Sequence, residues 1–224
     1  MESIKYSIYT VRNLTFPSNT YLIKNKLNNN CLIIDPGLDG DLIVKEIKEN
    51  NFNPIAILST HGHFDHIGSV SFLKTKYDIP FYMHEADLKL AKSANFFLKM
   101  GNYNFKIDTP TPDYIFKEDF ENLSIEDFKI DIYKFPGHSP GSCILKIDDF
   151  LFSGDILYKN GLGAGSIPRE DKPLLRQSIL KIFDIFDDNN FILPGHGAPE
   201  YIGLIKNNNT DLKNFIQETY EGRK

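Results

Sequence analysis

The chain has 224 residues, 41% of them hydrophobic and 25% charged, enough to bury a full core without disulfide staples. Its net charge is −5, with lysines and acids interspersed and no basic block, which argues against a nucleic-acid partner. Its two cysteines, Cys31 and Cys143, are too few for a disulfide framework and sit in apolar runs, so buried reduced thiols are expected.

In chain order, residues 4–11 and 20–24 read as two strands. The N-terminal stretch alternates polar and apolar residues, with no signal-type apolar run. No later run approaches membrane-spanning length, so a cytoplasmic protein with no membrane partner is expected. "CLII" at 31–34 is a short apolar strand that stops at the turn signal Asp35-Pro36-Gly37. Asp41 to Glu49 reads as a helix, and 54–60 as another buried strand running into "HGHFDH". Ile67, Val70, Leu73 and Tyr77 then recur at helical spacing. "IPFYMH" reads as a strand and Glu85 to Ser93 as a helix. Residues 94–121, with "TPTP" and several aromatics, read as a long loop of the kind that can form a lid.

Strands resume at 128–135, 142–147 and 150–152. Asp171 caps a helix with Pro173 in its first turn and an apolar face of Leu175, Ile179, Ile182, Phe183 and Phe186. "FILPGHG" is a last strand and turn. Asp211 to Glu221 forms a final helix, placed at about 208–221 with its lead-in. Strands and helices mix throughout, which predicts a layered α/β protein in one domain spanning 1–224.

The histidines carry the strongest chemical signal. Three of the six fall within six residues, at His61, His63 and His66, with Asp65 among them. In an extended segment His61 and His63 point the same way, while Asp65 is offset and His66 lies where a helix begins. The spacing thus supplies two diverging ligand sets. His138 and His196 each sit in a Pro-Gly-His segment after a strand, and Asp155 directly follows the apolar strand "FLFSG". A lone histidine is more often a core or surface residue, and a lone aspartate after a strand a solvated turn. Clustered at strand ends, imidazole and carboxylate suit catalytic zinc, and iron or manganese as well. No cysteine joins the set, which argues against a closed structural zinc site.

These motifs, "THGHFDH" at 60–66, "PGHSPGS" at 136–142, "FSGDILY" at 152–158, "PGHG" at 194–197 and "IDPG" at 34–37, resemble those of the metallo-β-lactamase fold hydrolases, in that family's order. The resemblance covers about residues 15–200 and is closest to the small glyoxalase II-like branch, whose members hydrolyse thioesters such as S-lactoylglutathione. It implies a four-layer αββα sandwich of two mixed sheets flanked by helices. It implies that His61, His63 and His138 bind one divalent ion, that Asp65, His66 and His196 bind a second, and that Asp155 bridges them. A metal-bridging hydroxide would then attack the substrate carbonyl, with Asp65 as the catalytic residue that orients it. The expected partner is a small-molecule thioester or ester.

The chain departs from the branch after Asp155. Ala164 stands where relatives have Arg or Lys, and Ser166 near an Asp or Tyr position, which counts against glutathione as the thiol carrier. After about residue 220, where this chain has space for one terminal helix, the longer enzymes add a helical segment that completes the glutathione pocket. Arg169 or Lys172 could bind an anionic tail, or be ordinary solvated loop charges. Phe96, Phe97, Tyr103 and Phe105 are candidates for a substrate lid, with loop packing the equal alternative. His84 belongs to no ligand motif and is expected to be structural. The alternatives to a thioester hydrolase are a persulfide dioxygenase with one iron and another ester or lactone hydrolase on the same scaffold.

Overall fold

The computed structural model of the protein describes residues 1–163 and 169–218. β1 (Tyr6–Arg12) and β2 (Asn19–Asn25) pair antiparallel, with Tyr6 opposite Asn25, and β3 (Asn30–Ile34) adds antiparallel to β2. α1 (Gly40–Glu49) then crosses to β4 (Asn53–Leu58), which lies parallel to β3. α2 (Phe64–Ile67) and α3 (Val70–Tyr77) lead to β5 (Phe81–His84); α4 (Leu88–Lys92) and α5 (Ala94–Met100) lead to β6 (Tyr114–Phe116). These six strands form one mixed sheet in the order β1 to β6.

The second sheet begins with the meander β7 (Phe120–Ile125), β8 (Phe128–Lys134), β9 (Cys143–Ile147) and β10 (Phe150–Gly154). α6 (Lys172–Ile185) carries the chain to β11 (Phe191–Pro194), which lies parallel to β10, and β12 (Glu200–Tyr201) closes the edge. α7 (Ile202–Asn208) and α8 (Thr210–Gln217) follow.

Three apolar cores bond four layers. Leu32, Ile34 and Leu58 of the first sheet meet Phe128, Leu145 and Phe152 of the second. On the outer face of the first sheet, Cys31, Ile33 and Phe81 pack against Ile43, Ile47 and Leu73. Outside the second sheet, Ile144, Leu151 and Ile192 meet Leu175, Ile179 and Ile182. β3 explains why such strands read as unbroken apolar runs: successive side chains alternate between two buried faces. Each fully buried Leu or Ile contributes about 1.5–3 kcal/mol. The result is an αββα sandwich of two mixed sheets.

Several expectations shift. Residues 94–121 hold α5, β6 and the start of β7, because Asn95 ties the segment back by accepting from Ile107 N and donating to Ile107 O, both at 2.9 Å. β4 ends at Leu58, two residues before the expected boundary. The last helix starts at Thr210, capped by Asn209, which accepts from Leu212 N at 3.0 Å; residues 219–221 of the expected helix lie outside the described residues. The cap at Asp171 forms as expected, accepting from Leu174 N at 3.0 Å. Both cysteines are buried and free. No helix among the described residues is long and apolar enough to cross a membrane.

Candidate metal centre

Four strand ends converge on one rim. β4 delivers Ser59 to His63, and α2 presents Asp65 and His66 from its first turn. The turn after β8 carries His138, β10 ends at Asp155, and β11 ends just before His196. The structure brings all seven side chains together. Ligand atoms of His61, His63 and His138 form one group and those of Asp65, His66 and His196 another, each spanning at most 4.8 Å. Asp155 stands between them. Its Oδ2 is 4.0 Å from His61 Nε2, 3.5 Å from His138 Nε2 and 3.3 Å from His196 Nε2, while its Oδ1 is 3.4 Å from His66 Nε2. Asp65 Oδ2 lies 3.4 Å from His66 Nε2 and 3.1 Å from His196 Nε2.

Outward hydrogen bonds set the ring tautomers. His138 Nδ1 donates to Gly163 O at 2.7 Å and His196 Nδ1 to Pro17 O. Thr60 Oγ1 gives its proton to Asp35 Oδ2 at 2.6 Å, so its lone pair is left to accept from His61 Nδ1 at 3.1 Å. His66 Nδ1 donates to Asp35 Oδ2 at 3.1 Å. Four imidazoles therefore turn Nε2 inward, toward one another and toward the two aspartates. His138 Nε2 stands 3.3 Å from His61 Nε2 and 3.0 Å from His63 Nδ1. Lone pairs this close repel unless a cation sits among them. Atoms bound to one tetrahedral zinc at 2.0–2.1 Å stand about 3.3 Å apart, so the spacing fits. His66 Nε2 and Asp155 Oδ1 are buried with no hydrogen-bond partner, as ligand atoms awaiting an ion would be.

The electrostatics divide along the same line. Burial, then the neighbouring imidazoles, pushes His61 well down; burial, then His138, holds His63 at about 3. Burial also opposes charge on His66 and His196. Asp155 and Asp65 outweigh it, raising His66 and taking His196 to about 10. A field that holds protons on these rings also favours a metal cation in their place.

Glycines beside the ligands are there for space. A Cβ on Gly195 would strike Asp155 Oδ1 and His66 Cε1, and one on Gly154, at φ 49°, would strike Thr60 Oγ1. Across the sheets, Asn19 and Tyr21 of β2 hold the turn that carries His196. Asn19 Nδ2 donates to Pro194 O and Gly197 O at 2.9 Å, and Tyr21 OH to Pro194 O at 2.7 Å.

Two supporting residues lie outside the seven expected ligands. Asp35 was visible only as part of "IDPG", yet it orients both His61, through Thr60, and His66. Asp87 is fully buried and ties two ligand loops: its Oδ2 accepts from Gly62 N at 2.8 Å and Ser139 Oγ at 2.6 Å, its Oδ1 from Gly141 N at 2.7 Å. His84 lies outside the clusters, its Nδ1 accepting from Ala86 N at 3.1 Å to cap the turn that leads to Asp87.

Of the lid candidates, Phe97 lines the cavity beside the clusters, and Tyr103 packs on Phe16 and Phe64. Phe105 packs against the core outside the first sheet, and Phe96 is exposed. Arg169 and Lys172 do not line the cavity, and Ala164 and Ser166 lie outside the described residues.

An αββα sandwich with His/Asp clusters on its strand-end rim defines a metal-dependent hydrolase scaffold. The chain belongs to the metallo-β-lactamase superfamily, which residues 14–200 match. It is 33% identical over 187 residues to "Hydroxyacylglutathione hydrolase GloC" of Haemophilus influenzae, covering 82% of this chain and 87% of that protein. It is 32% identical over 190 residues to "Probable metallo-hydrolase YqgX" of Bacillus subtilis, covering 84% and 90%. Among solved structures, the B3 metallo-β-lactamase BLEG-1 superposes with a TM-score of 0.84 at 28% identity, covering 92% of this chain and 99% of that one.

Proposed function

We propose that the protein hydrolyses a small-molecule thioester or a related ester, using two divalent ions, zinc in the first instance. The observation that carries this is the shared Asp155: its two oxygens face both ligand triads, and the joint site opens onto a cavity bordered by His63, Asp65, His138 and His196. His61, His63 and His138 would hold one ion, Asp65, His66 and His196 the other. Bound there, such ions supply an acidified water and a Lewis acid for the substrate carbonyl.

The chain's own groups do the rest. Asp65, held by His66 and His196, faces the cavity and would orient the attacking water. Asp35 and Thr60 keep His61 and His66 in the ligating tautomer. Phe16, Phe64 and Phe97 line the cavity and would shield a reacting carbonyl from bulk water. The leaving thiolate needs little acid assistance. The similarity to a hydroxyacylglutathione hydrolase supports the thioester reading.

The test is turnover of a thioester panel, S-lactoylglutathione and esters of other small thiols included, by protein reconstituted separately with zinc, iron and manganese. Metal content is measured in parallel. About two ions per chain and thioester cleavage lost on chelation are expected. One bound iron, no thioester cleavage and oxygen uptake with a persulfide would overturn the reading.

A further inference from the structure

The cavity at the metal centre has a volume of about 450 Å³, within the range of small-molecule sites. Away from the ligands its wall is apolar at Phe16, Phe64, Leu90, Ala94, Phe97 and Leu162, and among the described residues the one further polar side chain is Tyr158, which is hydrogen-bonded to Asp155. Among the described residues no Lys, Arg or Glu lines it, and its only carboxylates are Asp65 and Asp155 of the clusters. The apolar wall starts at the ligands themselves: the Phe16 ring lies 6.3 Å from the His196 ring and packs edge-on against Phe64 at 5.2 Å. The wall is backed by buried core, since Leu90, Ala94 and Leu98 are almost fully enclosed.

A carboxylate placed against the apolar part of this wall would lose water and gain no cationic partner from the chain. Glutathione brings two carboxylates and an ammonium. A hydrocarbon chain or ring placed there loses only unfavourable contact with water. Resting on the hydrolase reading above, we propose that the part of the substrate lodged in this cavity is uncharged and apolar, and that a neutral thiol carrier is preferred to glutathione.

The test uses stable thioethers, which bind without being cleaved. Zinc-reconstituted protein is titrated by calorimetry with S-hexylglutathione, with S-hexyl-N-acetylcysteamine, and with the butyl and octyl homologues of the latter. The neutral hexyl compound is expected to bind at least tenfold more tightly than the glutathione one. Affinity should rise about fourfold per methylene along the neutral series. Phe97→Arg should shift the neutral-to-glutathione affinity ratio at least tenfold toward glutathione. Phe97→Ser, a milder change at a half-buried position, should weaken the hexyl compound about tenfold and flatten the rise in affinity along the neutral series. Equal or tighter binding of S-hexylglutathione, or an affinity flat with chain length, would overturn the proposal. Because binding is read without turnover, a protein that binds as expected yet cleaves no thioester would sink the proposed reaction alone.

Discussion

Substituting Asp87 with asparagine keeps the side chain's shape and removes its charge, which isolates what this carboxylate does for the loops of His63 and His138. Three donors converge on it at 2.6–2.8 Å in a fully buried setting. An amide has a single acceptor oxygen. If it serves Gly62 N and Ser139 Oγ, its NH2 must face the Gly141 N–H, donor against donor. One orphaned buried N–H costs about 1–3 kcal/mol, and the loss of charge weakens the other two bonds, so a total near 2–4 kcal/mol is expected. Asp87→Ala strands all three donors and should cost about 3–5 kcal/mol or more, a large share of the 5–15 kcal/mol typical of a folded domain. Both loops end in ligands of the same triad, so one ion should bind about 10–100-fold more weakly while the other, held by Asp65, His66 and His196, is little changed. Urea unfolding of the metal-free protein gives the stability. Zinc competition against a chromophoric chelator gives the two affinities. An Asp87→Ala protein with an unchanged unfolding midpoint and both ions as tightly held as in the parent would refute the reasoning.

Metal-free stability should peak near pH 6.5, the unfolded histidine value. Below it, the unfolded chain takes up protons that buried His61 and His63 refuse, so stability falls as acid approaches pH 3. Above it, folded His196 keeps a proton the unfolded chain has released, and that contribution is lost as pH rises through about 10. Urea midpoints at pH 4.5, 6.5 and 9 decide the matter, and a monotonic trend would count against it. Gly195→Ala should fold yet bind less metal, because its Cβ must displace Asp155 or His66; elemental analysis beside circular dichroism checks this. Thr60→Val removes the acceptor for His61 Nδ1 and should weaken zinc about 10–100-fold in the chelator assay. Tyr21→Phe leaves the Pro194 carbonyl with only Asn19 as a side-chain donor and should cost about 1 kcal/mol in urea unfolding.

Much of the fold was legible because both sheets are covered on both sides. Runs such as "CLII" and "FLFSG" are then apolar throughout, and the helix at Leu175 to Ile182 shows its face plainly. β7 escaped notice because apolar Phe120 lies on its exposed side and charged Glu121 on its inward side, which breaks the alternation. α5 is only seven residues long, and its Phe96 and Met100 are exposed, so its pattern resembles an apolar loop.

The sequence by itself determined the ligand chemistry: three histidines and an aspartate packed into six residues, with His138, Asp155 and His196 each at a strand end beside a glycine. These signals are local, since residue type and a turn suffice to write them. What only the tertiary structure decided is where they meet and what surrounds them. Asp35 serves histidines 26 and 31 positions away, Asp87 holds loops from both halves of the chain, and Asn19 reaches across 178 residues to Gly197. The cavity wall joins Phe16 to Phe97 and Leu162 in the same way. Such partnerships depend on strand register and sheet stacking, which come from the summed packing of three cores and leave no short-range mark in the chain.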